Sequence, residues 1–425
     1  MVKTAITRVK ARQILDSRGE PTLEADVYLA DGSFGRSSVP AGASKGKYEA
    51  VEKRDEKDDY HGKGVISAIS GVNYLGSKFI GLDAAEQEKI DNLMIALDGT
   101  DNKKNIGANA ILAVSLAVAK AYASSEKMPL YRYFGSLIGN SEYRLPVPFV
   151  NIWNGGAHAG WATDLQEYMI VPFAASSFSE SLRWCSEIFH TLKELLEKSG
   201  YATTVGDEGG FAPLNVKSNE EPLEWILKAI EKSGYWPEDE VAIALDAASS
   251  AFYRNGKYIL NFKERENGRG IMRSTDEMID FYKELKRRFP IVSIEDGLNE
   301  EDWNGWVELT KTLGSNTEIV GDDLYATNKG RLERGIELRA SNAILIKPNQ
   351  IGTLTETLDV IRTAMKNGYA AIISHRSGET EDTTISHLAV GTATGQIKAG
   401  SVCRGERICK YNELLRIEEE LGKSG

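Results

Sequence analysis

The sequence predicts an α/β protein: a C-terminal (β/α)-barrel preceded by a smaller α+β region. Three observations carry this. From about residue 145 onward, short apolar runs end on charged or polar residues. From Glu295 those ends recur at Asp322, Lys347, Ser374 and Lys398, in steps of 27, 25, 27 and 24 residues, about one strand–helix unit each. The first 140 residues instead place strand-like alternation before helical periodicity, the order of an α+β domain. The chain of 425 residues is also long enough for a large domain plus a smaller one. An open doubly wound sheet is the alternative. It would gather only two or three strand ends at its switch point, whereas a barrel collects all of them on one face.

Taken in order, "AITRVKARQIL" and "TLEADVYLADGSFGRSSV" alternate as strands do, joined through the turn-rich "DSRGEP". "GVISAISGVNYLGSKFIG" and "NIGANAILAVSLAVAKAYASSE" read as helices. The second has small residues suited to close packing, and Asn105 stands just ahead of it as an N-cap. "YRLPVPFVNIW", with Pro146 and Pro148, reads as a boundary between an N-terminal domain, 1–140, and a barrel domain, 141–425. Beyond it the loaded strand ends follow: "TTVGDEGG", "VAIALDAA", "IVSIEDG", "IVGDDL", "AILIKPNQ", "AAIISHRSGE" and "GQIKAGS".

The bulk numbers exclude several function classes. A net charge of -11 with no basic tract argues against nucleic acid as a partner. No run reaches eighteen apolar residues; "AILAVSLAVAKAYA" carries Lys120 and reads as a buried helix, so no membrane is expected. The N-terminus lacks the apolar core of a signal peptide. Cys185, Cys403 and Cys409 have neither zinc spacing nor an even count, which fits a reducing, cytoplasmic setting.

Among the motifs, "GASKGKY" fails as a P-loop: its spacing is one residue short, and Tyr48 stands where the magnesium-binding hydroxyl belongs. It remains a Gly-rich loop able to fold over a site. A lone histidine is usually structural, but His158 lies in "NGGAHAG", where flanking glycines leave it little core to satisfy. His61, His190 and His387 lack such context, and His375, inside "SHRSGETED", stays open. Glu167 alternates with apolar residues and reads equally as a polar strand face. Asp207 and Glu208 sit in a glycine-bounded turn just past a β-branched run.

The sharpest constellation is Asp246, Glu295 and Asp322, each closing an apolar strand. Carboxylates about 4 Å apart repel by roughly 4 kcal/mol per pair at an effective dielectric of about 20, so three in one cavity require a cation. Oxygen-only donors from distant strands point to Mg²⁺ or Mn²⁺; a structural Ca²⁺ site, the bland alternative, draws its ligands from one contiguous loop. Lys347 and Lys398 also end strands. A lysine held near a dication and a second lysine is expected to lose its proton more readily and to serve as a general base. Arg376 and Ser377 form a phosphate-type anion clamp. Together these parts suit removal of a proton α to a carboxylate. There a dication at about 4 Å offers roughly 8 kcal/mol at the same effective dielectric.

The chain resembles the enolase family along essentially its whole length. The stretches that carry the likeness are "DSRGEPTLEADV", "PAGASKGKYEA", "VGDEGGFAP", "SIEDGL", "IKPNQIGTLTET", "SHRSGETED" and "GQIKAGSVCRGERICKYNELLRIEEELG". The resemblance implies a (β/α)8-type barrel of enolase topology, opening ββαα, with an N-terminal α+β capping domain. It implies reversible dehydration of 2-phospho-D-glycerate to phosphoenolpyruvate in glycolysis and gluconeogenesis, two Mg²⁺ per active site, and a homo-oligomer, dimer or octamer. A Lys or His base with one or two Mg²⁺ is the general pattern of that superfamily. On matching positions, Lys347 would take the C2 proton and Glu208 would act as the acid, with Glu167 beside it. Lys398 would hold the substrate carboxylate, and Gln166 would line the site. Asp246, Glu295 and Asp322 would hold the first Mg²⁺, and Ser44 the second. His158, Arg376 and Ser377 would meet the phosphate.

Four departures bear on loop closure and rate. Ala41 stands where Ser is common and Lys45 where Thr is common; "GWATDLQ" replaces an Asn-containing segment; Pro348 follows the base lysine. Two other readings stay open at this level: a superfamily lyase or racemase acting on an unphosphorylated acid, and a non-catalytic binding or scaffold role.

Overall fold

The computed structural model describes residues 2–42, 46–55, 59–261, 264 and 267–422. The N-terminal part opens with an antiparallel meander, β1 (Ile6–Leu15), β2 (Pro21–Leu29) and β3 (Phe34–Ser38). The turn between β1 and β2 closes because the Asp16 carboxylate accepts the backbone N–H groups of Arg18 and Glu20 at 2.8 and 2.9 Å. The second strand-like stretch is two strands, not one: Asp31 and Gly32 (φ +90°) turn the chain back as a hairpin. Four helices follow: α1 (Ile66–Phe79), α2 (Gln87–Asp98), α3 (Ala108–Ser125) and α4 (Leu130–Ile138).

Helix α3 is long and apolar enough to cross a membrane, yet 78% of that window is buried inside the protein. Its small residues let the sheet approach closely. A Cβ on Gly35 of β3 would lie 2.2 Å from the Ala117 carbonyl oxygen. Lys120, the charge that interrupts its apolar run, pairs with Asp382 at 2.6 Å. Asn105 is not the cap of this helix. Gly107 holds that position, and the Asn105 amide donates to the Asp98 carbonyl at 2.7 Å instead.

The remainder is a closed eight-stranded barrel. Its strands are β4 (Val147–Asn154), β5 (Glu167–Val171), β6 (Ala242–Asp246), β10 (Ile291–Glu295), β11 (Glu318–Gly321), β12 (Ala343–Ile346), β13 (Ala370–Ser374) and β14 (Gln396–Lys398). Strand β5 runs antiparallel to both neighbours, and every other pairing is parallel. The two helices α5 (Phe178–Lys198) and α6 (Glu221–Lys232) follow β5, so the barrel opens ββαα. A small sheet, β7 (Tyr253–Arg254), β8 (Lys257–Leu260) and β9 (Ile271–Arg273), branches off after β6. Thereafter α7 (Thr275–Arg288), α8 (Trp303–Leu313), α9 (Lys329–Leu338), the one-turn α10 (Pro348–Ile351), α11 (Leu354–Lys366), α12 (Thr384–Thr392) and α13 (Gly405–Leu421) return the chain between and after the strands. The 24–27-residue spacing is this alternation.

Inside the barrel, Phe149, Met169, Val171, Ala244, Val320, Ala343, Leu345 and Ile372 form an apolar floor distinct from the outer core. Alternation turns these and the charged strand ends to the same inner face, and position along each strand sets the floor below and the charges above. The N-terminal part covers the upper mouth. Ala41 and Gly378 exchange backbone hydrogen bonds at 2.8 and 2.9 Å. The Asp382 carboxylate accepts the Ser38 N–H at 3.0 Å and the Ser37 hydroxyl at 3.1 Å.

Candidate active site

Above the floor lies a cavity of about 710 Å³. Glu167, Glu208, Asp246, Asp322, Lys347, Arg376, Ser377, Lys398 and Gln166 all line it. Register builds its centre: Glu167 pairs with Asp246 across β5–β6, and Asp246 with Glu295 across β6–β10, so three carboxylates stand level on adjacent strands. Lys398, from the far side of β4, reaches all three. Its Nζ lies 2.8 Å from Glu295 Oε2 and 3.1 Å from both Glu167 Oε1 and Asp246 Oδ2. Gln166 Nε2 donates to Asp246 Oδ2 at 3.4 Å. Asp322 stands apart from this trio, paired with Lys347, while its Oδ1 accepts from Gln350 Nε2 at 2.9 Å.

Ammonium groups of the protein thus lie directly against these strand-end acids. Burial pushes both lysines down, but the surrounding carboxylates outweigh it: Asp322 holds Lys347 above the ordinary lysine value, and Asp246, Glu167 and Glu295 hold Lys398 well above it. A neutral amine at either position requires those pairs to loosen first.

The acids still outnumber the cations. Glu167, Glu208, Asp246, Glu295, Asp296, Asp322 and Asp323 face Lys347 and Lys398, while the Arg376 guanidinium is engaged by Glu49 at 3.0 and 3.1 Å. Burial, then repulsion from Glu208, pushes Glu167 well above the usual carboxylate range; burial and Asp246 do the same for Glu295. Burial and Asp322 push Asp323 up to about 7. Burial would raise Asp322 too, but Lys347 holds it below its ordinary value. Glu167 Oε2 and Glu295 Oε1 are buried with no hydrogen-bond partner. Surplus carboxylates with orphaned oxygens fit a hard divalent cation. Groupings tight enough for an ion, with one donor atom from each residue within 4.8 Å of the others, occur among the described residues at Glu167–Glu208–His375 and at Asp296–Asp322–Asp323. Asp246 and Glu295 belong to neither grouping.

Several residues at the site carried no decisive sequence signal. Asp296, in a left-handed conformation (φ 44°), accepts the backbone N–H groups of Asp322 and Asp323 at 3.0 and 2.9 Å and so fixes the turn that presents them. His375 is buried, with Nδ1 2.6 Å from Arg407 Nη1 and Nε2 4.0 Å from Glu208 Oε2. An arginine can only donate, so Nδ1 accepts and the ring proton faces Glu208. Burial and Arg407 hold the imidazole well below its usual value, hence neutral. Arg407, fully buried, also donates to the carbonyls of Arg376 (2.5 Å), Ser377 (2.5 Å) and Asp207 (3.0 Å), tying two site segments together. Asn151 Nδ2 donates to Glu208 Oε2 at 3.2 Å. The turn carrying Glu208 needs glycine at 209: φ is +89°, and a Cβ would lie 2.8 Å from the Cys403 carbonyl oxygen. Ser44 and the His158 side chain lie outside the described residues.

A barrel with its charged residues gathered at the strand C-terminal ends is the architecture of an enzyme of the TIM-barrel class. A family model described as "Enolase, C-terminal TIM barrel domain" matches residues 142–425, and one described as "Enolase, N-terminal domain" matches residues 6–134. The chain belongs to the enolase family, and with it to the lyase-type enzymes.

Proposed function

We propose that this protein catalyses the reversible, Mg²⁺-dependent dehydration of 2-phospho-D-glycerate to phosphoenolpyruvate in glycolysis and gluconeogenesis. The observation that carries the reading is the convergence of a lysine, Lys347, and a carboxyl, Glu208, on one cavity that also holds a carboxylate surplus and an arginine. In this reading Arg376, Ser377 and His158 meet the substrate phosphate, Lys398 its carboxylate, and Gln166 the cavity wall. Lys347 Nζ takes the proton from C2. Glu208 gives a proton to the C3 hydroxyl, which leaves as water, and Glu167 keeps the acid protonated by sharing a proton with it. Lys347 accepts a proton only as the neutral amine. Loosening of its pair with Asp322 removes the strongest influence holding it charged, while Arg376 and Lys398 continue to push it down.

Asp246, Glu295 and Asp322 would hold one Mg²⁺, and Ser44 a second. When bound, Mg²⁺ supplies positive charge beside the substrate carboxylate as a second negative charge develops there. We further infer a homo-oligomer, dimer or octamer, in the cytoplasm; three free cysteines agree with a reducing compartment. The test is direct. Metal-loaded protein given 2-phosphoglycerate should produce the rising ultraviolet absorbance of phosphoenolpyruvate, abolished by a chelator and restored by Mg²⁺. Folded, metal-loaded protein that leaves 2-phosphoglycerate untouched but turns over an unphosphorylated carboxylate refutes the assignment.

A further inference from the structure

We propose that Gln350 is a positioning residue that aims Asp322 at the cation site, an inference resting on the metal assignment above. The side chain of Gln350 is 1% exposed and sits on the one-turn helix α10, three residues beyond Lys347. Its Nε2 donates to Asp322 Oδ1 at 2.9 Å, and its Oε1 accepts from the Thr327 hydroxyl at 2.7 Å. Thr327 in turn accepts the Lys347 backbone N–H at 2.9 Å. With the Lys347–Asp322 pair, these contacts close a ring: Lys347 side chain, Asp322, Gln350, Thr327, Lys347 backbone.

The chemistry admits glutamine here for a specific reason. Asp322 as a carboxylate can only accept, and the Thr327 hydroxyl, having accepted from Lys347, donates onward. The residue between them must donate on one side and accept on the other, and a primary amide does both. The same logic fixes the amide orientation, nitrogen toward Asp322. Asp322 therefore has its two oxygens divided, Oδ1 to the amide and Oδ2 to Lys347, so the amide orients the carboxylate independently of the lysine.

Loss of an outer partner of this kind weakens metal binding by about 10–100-fold. The test uses Mn²⁺ as the probe, with binding read from the free-ion electron paramagnetic resonance signal in substrate-free protein, so turnover plays no part. Gln350→Leu should weaken Mn²⁺ binding by about 10–100-fold. Thr327→Val keeps the amide but removes its anchor, and should weaken binding at the low end of that range; it decides the matter if Gln350→Leu fails to fold. Wild-type protein that binds Mn²⁺ while folded variants bind it equally well overturns the role of Gln350. Wild-type protein that binds no Mn²⁺ overturns the cation assignment itself.

Discussion

Replacing Lys398 by methionine keeps the stem and removes the one ammonium shared by Glu167, Asp246 and Glu295. Each of the three pairs, at 2.8–3.1 Å, represents about 5–6 kcal/mol of attraction at an effective dielectric of about 20. Desolvation of whichever of these buried groups are ionised opposes this by several kcal/mol per ion. Removing one partner of such a buried network costs about 3–5 kcal/mol, because the remaining charges lose their compensation. Unfolding entropy of about 2.1 cal/mol/K per residue gives about 0.9 kcal/mol/K for 425 residues. The thermal midpoint of metal-free Lys398→Met should therefore fall by about 3–6 °C at neutral pH.

The pH dependence has a definite sign. Glu167 and Glu295 are raised in the folded state, so the folded protein binds more protons than the unfolded chain above the ordinary Glu value of about 4.3. Stability from those protonated forms is complete below that value and drains away as pH rises through the folded values. Without Lys398 the two acids are raised further, so the deficit of the variant should widen from about pH 5 to about pH 8. Thermal scans of both proteins across that range, with chelator present, make the measurement. An unchanged midpoint at the upper pH, or a deficit that narrows as pH rises, would refute the account of Lys398 as the counter-ion of the cluster.

Three further outcomes are expected. Lys347→Ala should lower phosphoenolpyruvate formation by at least about 10²–10⁴-fold; turnover near the wild-type rate removes Lys347 as the base. Arg376→Lys keeps the charge but loses the fork that engages Glu49, so the KM for 2-phosphoglycerate should rise about tenfold or more with a smaller change in kcat; an unaltered KM removes Arg376 from the phosphate site. Burial alone would raise Asp382, but Lys120 and the Thr384 hydroxyl hold it well below the usual carboxylate range. Its contribution is present at neutral pH and lost only in strong acid. Asp382→Asn should cost about 3–5 kcal/mol at pH 7, with a smaller difference from wild type in acid, measured by urea denaturation.

Much of this protein was legible from local chemistry. A short apolar run that ends on Asp246, Glu295, Asp322 or Lys398 announces both a buried strand and its upper end. The steps of 24–27 residues announce the helix that must intervene. The buried helix "AILAVSLAVAKAYA" and its close packing followed from small side chains alone. Where the reading missed, the competing signal was also local: Asp31–Gly32 marks a hairpin inside a stretch taken as one strand, and Asn105 serves the preceding helix end at Asp98 rather than the next start.

What the sequence by itself determined, then, was the kind of side chain at each strand end and the period that makes the fold a barrel, because both depend on residues a few positions apart. The tertiary structure alone decided who meets whom. Register set Glu167, Asp246 and Glu295 level, and barrel closure brought Lys398 onto all three. The covering segment delivered Glu49 to Arg376, 327 residues away along the chain. Protonation follows from those meetings, since a buried charge answers to its neighbours within a few ångströms rather than to its own identity. That is why the proton on Lys347 and on Lys398 answers to the carboxylates each one meets.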